Sequence, residues 1–323
     1  MAARNTLRRS LLYIPGSSQR FIDKSRSLTA DCVTYDLEDS VTPHKKAEAR
    51  SLVRRALDQP APSSIRERAV RINSVDSGLA LADLTEVLKS PNLSTIVIPK
   101  VNSASDLTFV TDVISHTLSQ QQAQSQTANK TPISLLALVE SAKSLTNLTQ
   151  ITSASPLLQG LIFAAEDFAL DLSLTRTPSL TEFLFARSAI ATAARAANLP
   201  STIDLVCTAY KSTSADGSPP AALEEECRSG RGLGFNGKQC IHPSQLETVE
   251  RIFGPDEEEV NWAVRVVLAD EKAAKQGRGA WTLDGKMIDA PVAEKAKAIV
   301  KKAEGCGVDV GALRGKWSGQ EPE

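Results

Sequence analysis

Eight short runs of β-branched and aliphatic residues, each followed by a segment of helical character, constrain this chain most. They fall at 11–14, 32–37, 69–73, 95–100, 134–139, 161–164, 202–207 and 238–241. Strands buried on both faces read as near-continuous apolar runs, which is the pattern of a parallel sheet. Eight β-α units in about 250 residues suit a closed (β/α)8 TIM barrel better than an open sheet. The expected organisation is an α/β barrel over residues 1–254 and a C-terminal helical extension over 255–323. The extension reads as a helix at 257–275, a Gly-containing irregular stretch and a last helix from Pro291. The polar, Gln-rich segment 119–130 reads as a low-complexity loop.

Composition excludes several classes. Lys and Arg number 37 against 38 Asp and Glu, so the basic excess of a nucleic-acid protein is missing. No apolar run approaches the roughly 18 residues of a membrane span, so no membrane partner is expected. Five cysteines, Cys32, Cys207, Cys227, Cys240 and Cys306, form no CxxC pair, which points to a reducing compartment. Met1 to Arg9 carries three arginines and no acid, like a stub of a mitochondrial presequence. Mitochondrial matrix and cytoplasm both stay open. Gly232-Leu233-Gly234-Phe235-Asn236-Gly237 spells GxGxxG but precedes a strand with no helix after it, so it is not a dinucleotide fingerprint. Its glycines read as a helix end and a turn into the eighth strand.

In such a barrel, chemistry sits where strands end and βα loops begin. Strand two ends at Asp36, Glu38 and Asp39, strand three at Arg71 and Asn73, strand four at Lys100. Strand five ends at Glu140, strand six at Glu166-Asp167, strand eight at His242. Charges at one end of six strands converge on one spot, and there they must pair or hold a cation. Acids outnumber bases, and Cys/His ligand spacing is absent, which argues against zinc. Two or three carboxylates with water suit Mg²⁺ completed by an anionic substrate. Singly, Glu140 reads equally well as a helix N-terminal acid and Asp167 as an N-cap; jointly they favour a site. Lys100 could instead form a Schiff base. His44 and His116 read as structural.

Seven ordered motifs carry a resemblance. They are Arg9-Ser10-Leu11-Leu12-Tyr13-Ile14-Pro15-Gly16, Asp36-Leu37-Glu38-Asp39-Ser40-Val41, Arg71-Ile72-Asn73 and Pro99-Lys100, then Glu140-Ser141-Ala142, Ala165-Glu166-Asp167-Phe168 and Gly237-Lys238-Gln239-Cys240-Ile241-His242-Pro243. From about Arg8 to the last helix the chain resembles the citrate lyase β-subunit-like family of the HpcH/HpaI aldolase superfamily. Its 279–289 segment resembles the branch with citramalyl-CoA and malyl-CoA lyases, an extension that bacterial citrate lyase subunits are expected to lack.

The resemblance implies a Mg²⁺-dependent carbon–carbon lyase acting on an acyl-CoA thioester and releasing acetyl-CoA and a 2-oxo acid. Glu140 and Asp167 would match the Mg²⁺ ligands and Arg71 the arginine at the substrate's acyl oxygen. Tyr13, Arg20 and Lys24 would hold CoA, the last two facing its phosphates one helical turn apart. Lys100, Ile241 and His242 join the substrate side, while Glu38 and Asp39 orient Arg71 or a metal-bound water. Asp289 would match a catalytic aspartate delivered into a neighbouring subunit, which implies a homotrimer or hexamer. Citryl cleavage of the citrate lyase type, a CoA-free 2-oxo-acid aldolase and a non-catalytic barrel are the alternatives. One departure concerns specificity: where relatives carry a Val-x-Asp-Phe-Arg-Asp-like run after strand seven, this chain reads Val206-Cys207-Thr208-Ala209-Tyr210-Lys211.

Overall fold

A computed structural model describes residues 7–124, 132–211 and 219–323. All eight expected strands are present: β1 (Ser10–Pro15), β2 (Ala30–Asp36), β3 (Ile65–Arg71), β4 (Thr95–Ile98), β5 (Ser134–Val139), β6 (Leu158–Phe163), β7 (Ser201–Asp204) and β8 (Gly237–Cys240). They pair in parallel in chain order, and β8 returns to β1, so the sheet is a closed barrel. Helices α1 (Gln19–Ser25), α2 (Lys46–Asp58), α3 (Ala80–Val87), α4 (Ala104–Gln124), α5 (Ala142–Thr146) and α6 (Leu148–Ser153) intervene between the first six strands. They are followed by α7 (Ala165–Leu172), α8 (Leu184–Ala196), α9 (Ala221–Gly232) and α10 (Leu246–Phe253).

The barrel is filled by side chains from alternate strand positions. Leu11, Cys32, Ala69, Val97, Leu136 and Ile162 form one buried cluster. Below it the N-terminal end is closed by charge. Arg8 donates to both Glu67 oxygens, at 2.5 and 2.7 Å, and to Ser201 Oγ at 2.8 Å, while Thr95 Oγ1 also donates to Glu67. Removing one partner of such a buried pair strands the other charge at a cost of about 3–5 kcal/mol. Gly237 permits this closure: a Cβ there would lie 2.0 Å from the Arg8 carbonyl oxygen. Cys32, Cys207, Cys227 and Cys240 are buried as thiols, and Cys306 is half-buried.

The chain divides into two units, Met1–Glu250 and Arg251–Glu323. In the second, α11 (Glu257–Lys275) starts from a capping box in which Asp256 accepts from Glu259 N and the Glu259 side chain reaches back. It is followed by β9 (Trp281–Leu283), β10 (Lys286–Ile288), α12 (Ala290–Gly305) and α13 (Val310–Lys316). Val264, Ala269, Trp281, Leu283, Ile288 and Ala296 share this unit's own core. No helix among the described residues is long and apolar enough to cross a membrane.

Three expectations need correction. The stretch after α11 is not irregular: β9 and β10 pair antiparallel across Asp284-Gly285, at φ +50° and +72°. Positive φ at both central residues is what a tight hairpin requires, and Asp-Gly supplies it. The Gln-rich segment is not a loop at its start, because α4 runs to Gln124; its remainder, 125–130, lies outside the described residues. Asp167 is not an N-cap: the cap position of α7 is Ala164, with no side-chain cap bond. The glycine run behaves as expected, with α9 ending at Gly232, Gly234 turning at φ +97° and β8 starting at Gly237.

Candidate active site

Asp36, the last residue of β2, organises the C-terminal end of the barrel. It accepts from Glu38 N at 2.9 Å, Ser40 N at 3.1 Å and Ser40 Oγ at 2.5 Å. Its two oxygens also take a bidentate pair from Arg71 Nε and Nη2, each at 2.7 Å. Burial opposes both charges, yet the pairing outweighs it. Arg71 is held above, and Asp36 below, its ordinary pKa. The guanidinium lies 4.6 Å over the Tyr13 ring, and Nη1 stands 3.1 Å from Glu38 Oε2. Burial keeps the Tyr13 hydroxyl protonated, and it donates to Gln239 Oε1 at 2.9 Å.

Lys100 ends the segment after β4 in the left-handed region, at φ +51°. Such a residue costs about 1–2 kcal/mol. The conformation accompanies placement of Nζ 2.7 Å from Glu38 Oε1 and 3.6 Å from Asp39 Oδ1. Burial lowers the lysine's affinity for its proton, but the bond to Glu38 more than restores it, so its pKa lies above the ordinary value. A Schiff base needs a neutral amine. This lysine is held as a cation.

Glu140 follows β5 and is 4% exposed, with Oε1 buried and without a hydrogen-bond partner. Burial, reinforced by the charges of Glu38 and Asp167, pushes its pKa up to about 8. Asp167, third residue of α7, is half-buried beside it. The two line a cavity of about 330 Å³ with Lys100 and Asn102. Asp167 is shared with an adjoining cavity of about 440 Å³ that reaches Tyr13, Arg71, Val206 and Ile241. Among the described residues no three Asp, Glu, His or Cys side chains form a closed ligand set. Two carboxylates, one with an orphaned oxygen, instead make an open oxygen site of the kind hard divalent cations complete with water or substrate.

The other expected residues disperse. Arg20 and Lys24 stand exposed on α1 and line neither cavity. Exposed His242 caps the turn at Pro243–Gln245: Nδ1 accepts from Ser244 N at 3.2 Å, and the ring stacks on Tyr210 at 5.1 Å. Asp289 belongs to the second unit and caps α12, accepting from Val292 N at 3.2 Å. The strand-end acid Asp36 locks Arg71, and two residues beyond the expected set, Gln239 and Arg176, support the site. Gln239 ties Tyr13 to the carbonyls of Phe163 and Asp204. Arg176 pairs with Glu166, with Glu226 at 2.8 Å and with the Val206 carbonyl at 3.0 Å.

Comparison with known proteins places the chain in a family and a fold. The citrate lyase subunit beta of Escherichia coli (strain K12) is 35% identical over 301 residues, 93% of this chain and 95% of the relative. Human mitochondrial citramalyl-CoA lyase is 34% identical over 305 residues, 92% of this chain and 85% of the relative. The crystal structure of CitE from Mycobacterium tuberculosis, in complex with magnesium, acetoacetate and coenzyme A, superposes with a TM-score of 0.70 at 26% identity, covering 93% of this chain and 99% of that one. The model of the family described as HpcH/HpaI aldolase/citrate lyase matches residues 9–243, and this chain belongs to that family of carbon–carbon lyases.

Proposed function

We propose that this chain is a Mg²⁺-dependent lyase that cleaves a 3-hydroxyacyl-CoA thioester of the malyl or citramalyl type into acetyl-CoA and a 2-oxo acid. The observation that carries the reading is the buried, unpartnered Oε1 of Glu140 beside Asp167. A buried carboxylate oxygen without a protein partner is completed by water or an ion, and a second carboxylate beside it on an open cavity favours a cation. When bound there, Mg²⁺ neutralises charge on the substrate's hydroxyl and carboxylate oxygens. Arg71, fixed by Asp36 and by the Tyr13 ring face, meets the negative charge that develops on the thioester oxygen as the C–C bond breaks. Lys100, which also faces Asp39, holds Glu38 in place beside it.

Arg20 and Lys24 hold the CoA phosphates at the rim, consistent with their exposure on α1. Asp289 moves the proton at the acetyl-CoA methyl carbon in a neighbouring copy of a homotrimer or hexamer. Support for a seated neighbour comes from Leu170 and Phe185, 80% and 77% exposed, of which Leu170 lines the Glu140–Asp167 cavity. A coupled assay with citramalyl-CoA and malyl-CoA tests the reading. Turnover should vanish with EDTA and return with Mg²⁺. Turnover indifferent to EDTA, or borohydride trapping of pyruvate on Lys100, would overturn it.

A further inference from the structure

Cleavable thioesters of this class differ at the hydroxyl-bearing carbon: hydrogen in malyl-CoA, methyl in citramalyl-CoA, carboxymethyl in citryl-CoA. The charge inventory of the site discriminates among them. Arg71 and Lys100 are the cations among the described residues lining the two cavities. Arg71 is committed to Asp36 and Glu38, and Lys100 to Glu38 and Asp39. Arg176 lies behind the wall of the larger cavity, taken up by Glu166, Glu226 and the Val206 carbonyl. Lys238, fully buried in β8, pairs with Glu226 at 2.9 Å. Lys211 stands exposed in the strand-seven loop with its Nζ 5.7 Å from the Tyr210 ring centre, and it lines neither cavity. Glu140 and Asp167 are left to balance one divalent ion, and that ion takes the one carboxylate all three substrates share.

The facing wall is neutral. Leu138, Ala164, Ala165, Val206 and Ile241 line the larger cavity beside Asp167. Resting on the lyase reading above, we propose that this wall makes the enzyme selective for acyl groups whose substituent at the hydroxyl carbon is uncharged, so that a carboxymethyl group is rejected. A second carboxylate would be set against apolar side chains and the carboxylates of Asp39 and Glu166, with no uncommitted counter-charge to meet it. An unmatched charged group in such a pocket loses binding by about 10²-fold or more.

Calorimetric titration of the Mg²⁺-loaded protein with pyruvate, 2-oxobutyrate and oxaloacetate tests this. Pyruvate and oxaloacetate are the 2-oxo acids released from citramalyl-CoA and citryl-CoA, and 2-oxobutyrate lengthens the substituent without adding charge. Pyruvate and 2-oxobutyrate should bind within about tenfold of each other, and oxaloacetate about 10²-fold more weakly. The kcat/KM values for citramalyl-CoA and citryl-CoA should follow the same order. Ile241 is 43% exposed at the rim, and its side chain makes no hydrogen bond. An Ile241→Arg variant should strengthen oxaloacetate binding at least about tenfold. Oxaloacetate binding as tightly as pyruvate overturns the selectivity while leaving the lyase reading intact, and an unchanged Ile241→Arg removes the wall as its cause. Failure of Mg²⁺ and of all three acids to bind defeats the lyase reading, and the selectivity with it.

Discussion

At the scale of single residues, the site trades stability for a vacancy of charge. Glu140 keeps a proton up to about pH 8, far above its ordinary 4.5, because burial and its acidic neighbours penalise the anion. Between those values the folded chain without metal binds a proton that the unfolded chain has lost. Its stability therefore falls as pH rises through that window. Glu140→Gln should flatten this slope in thermal melts of the metal-free protein while lowering Mg²⁺ affinity by about 10²-fold or more. Because the metal displaces that proton, wild-type Mg²⁺ affinity should fall about tenfold per pH unit below about 8, measurable by calorimetry in two buffers of different ionisation heat. Arg71→Lys keeps the charge but loses the fork on Asp36, and kcat should drop about 10²–10³-fold. The strand-end acids were legible in sequence because barrel topology gathers strand ends whatever their separation. Arg176 was not. Its partners lie 10, 30 and 50 residues away, and no spacing rule joins a loop arginine to them.

At the scale of elements, every strand was legible, most as short apolar runs and the rest from their place in the β-α alternation, whereas their ends shifted by up to four residues. β3 begins at Ile65 through Arg66 and Glu67, whose charges hide the strand from any hydropathy pattern. Glu67 is charged there because it meets Arg8 inside the barrel, a partner 59 residues away. The β9–β10 hairpin carried its Asp-Gly signal openly, but three-residue strands are too short to show alternation. The seam between β8 and β1 invites a test. Gly237→Ala drives a methyl group into the Arg8 carbonyl, and because backbone meets backbone neither side yields easily. The expected cost is at least about 2 kcal/mol, read as a lowered urea midpoint at constant slope.

At the scale of the whole molecule, the division into a barrel and a C-terminal unit carrying Asp289 makes oligomerisation part of the proposed chemistry. Asp289→Ala and Glu140→Gln should each be inactive alone. Co-refolded in equal amounts they should regain about a quarter of wild-type activity, the share of shared sites with an intact barrel and an intact neighbouring aspartate. No recovery would mean that each arm serves its own barrel. The cysteines carry a different consequence. Four lie buried in the barrel unit, where burial lifts Cys227 to about 12 and raises Cys32, Cys207 and Cys240 above the ordinary thiol value, so little thiolate exists at neutral pH. Half-buried Cys306 sits in the other unit. Alkylation followed by mass spectrometry thus becomes a two-channel clock. Label on Cys306 times breathing of the C-terminal unit, and label on the other four times opening of the barrel itself.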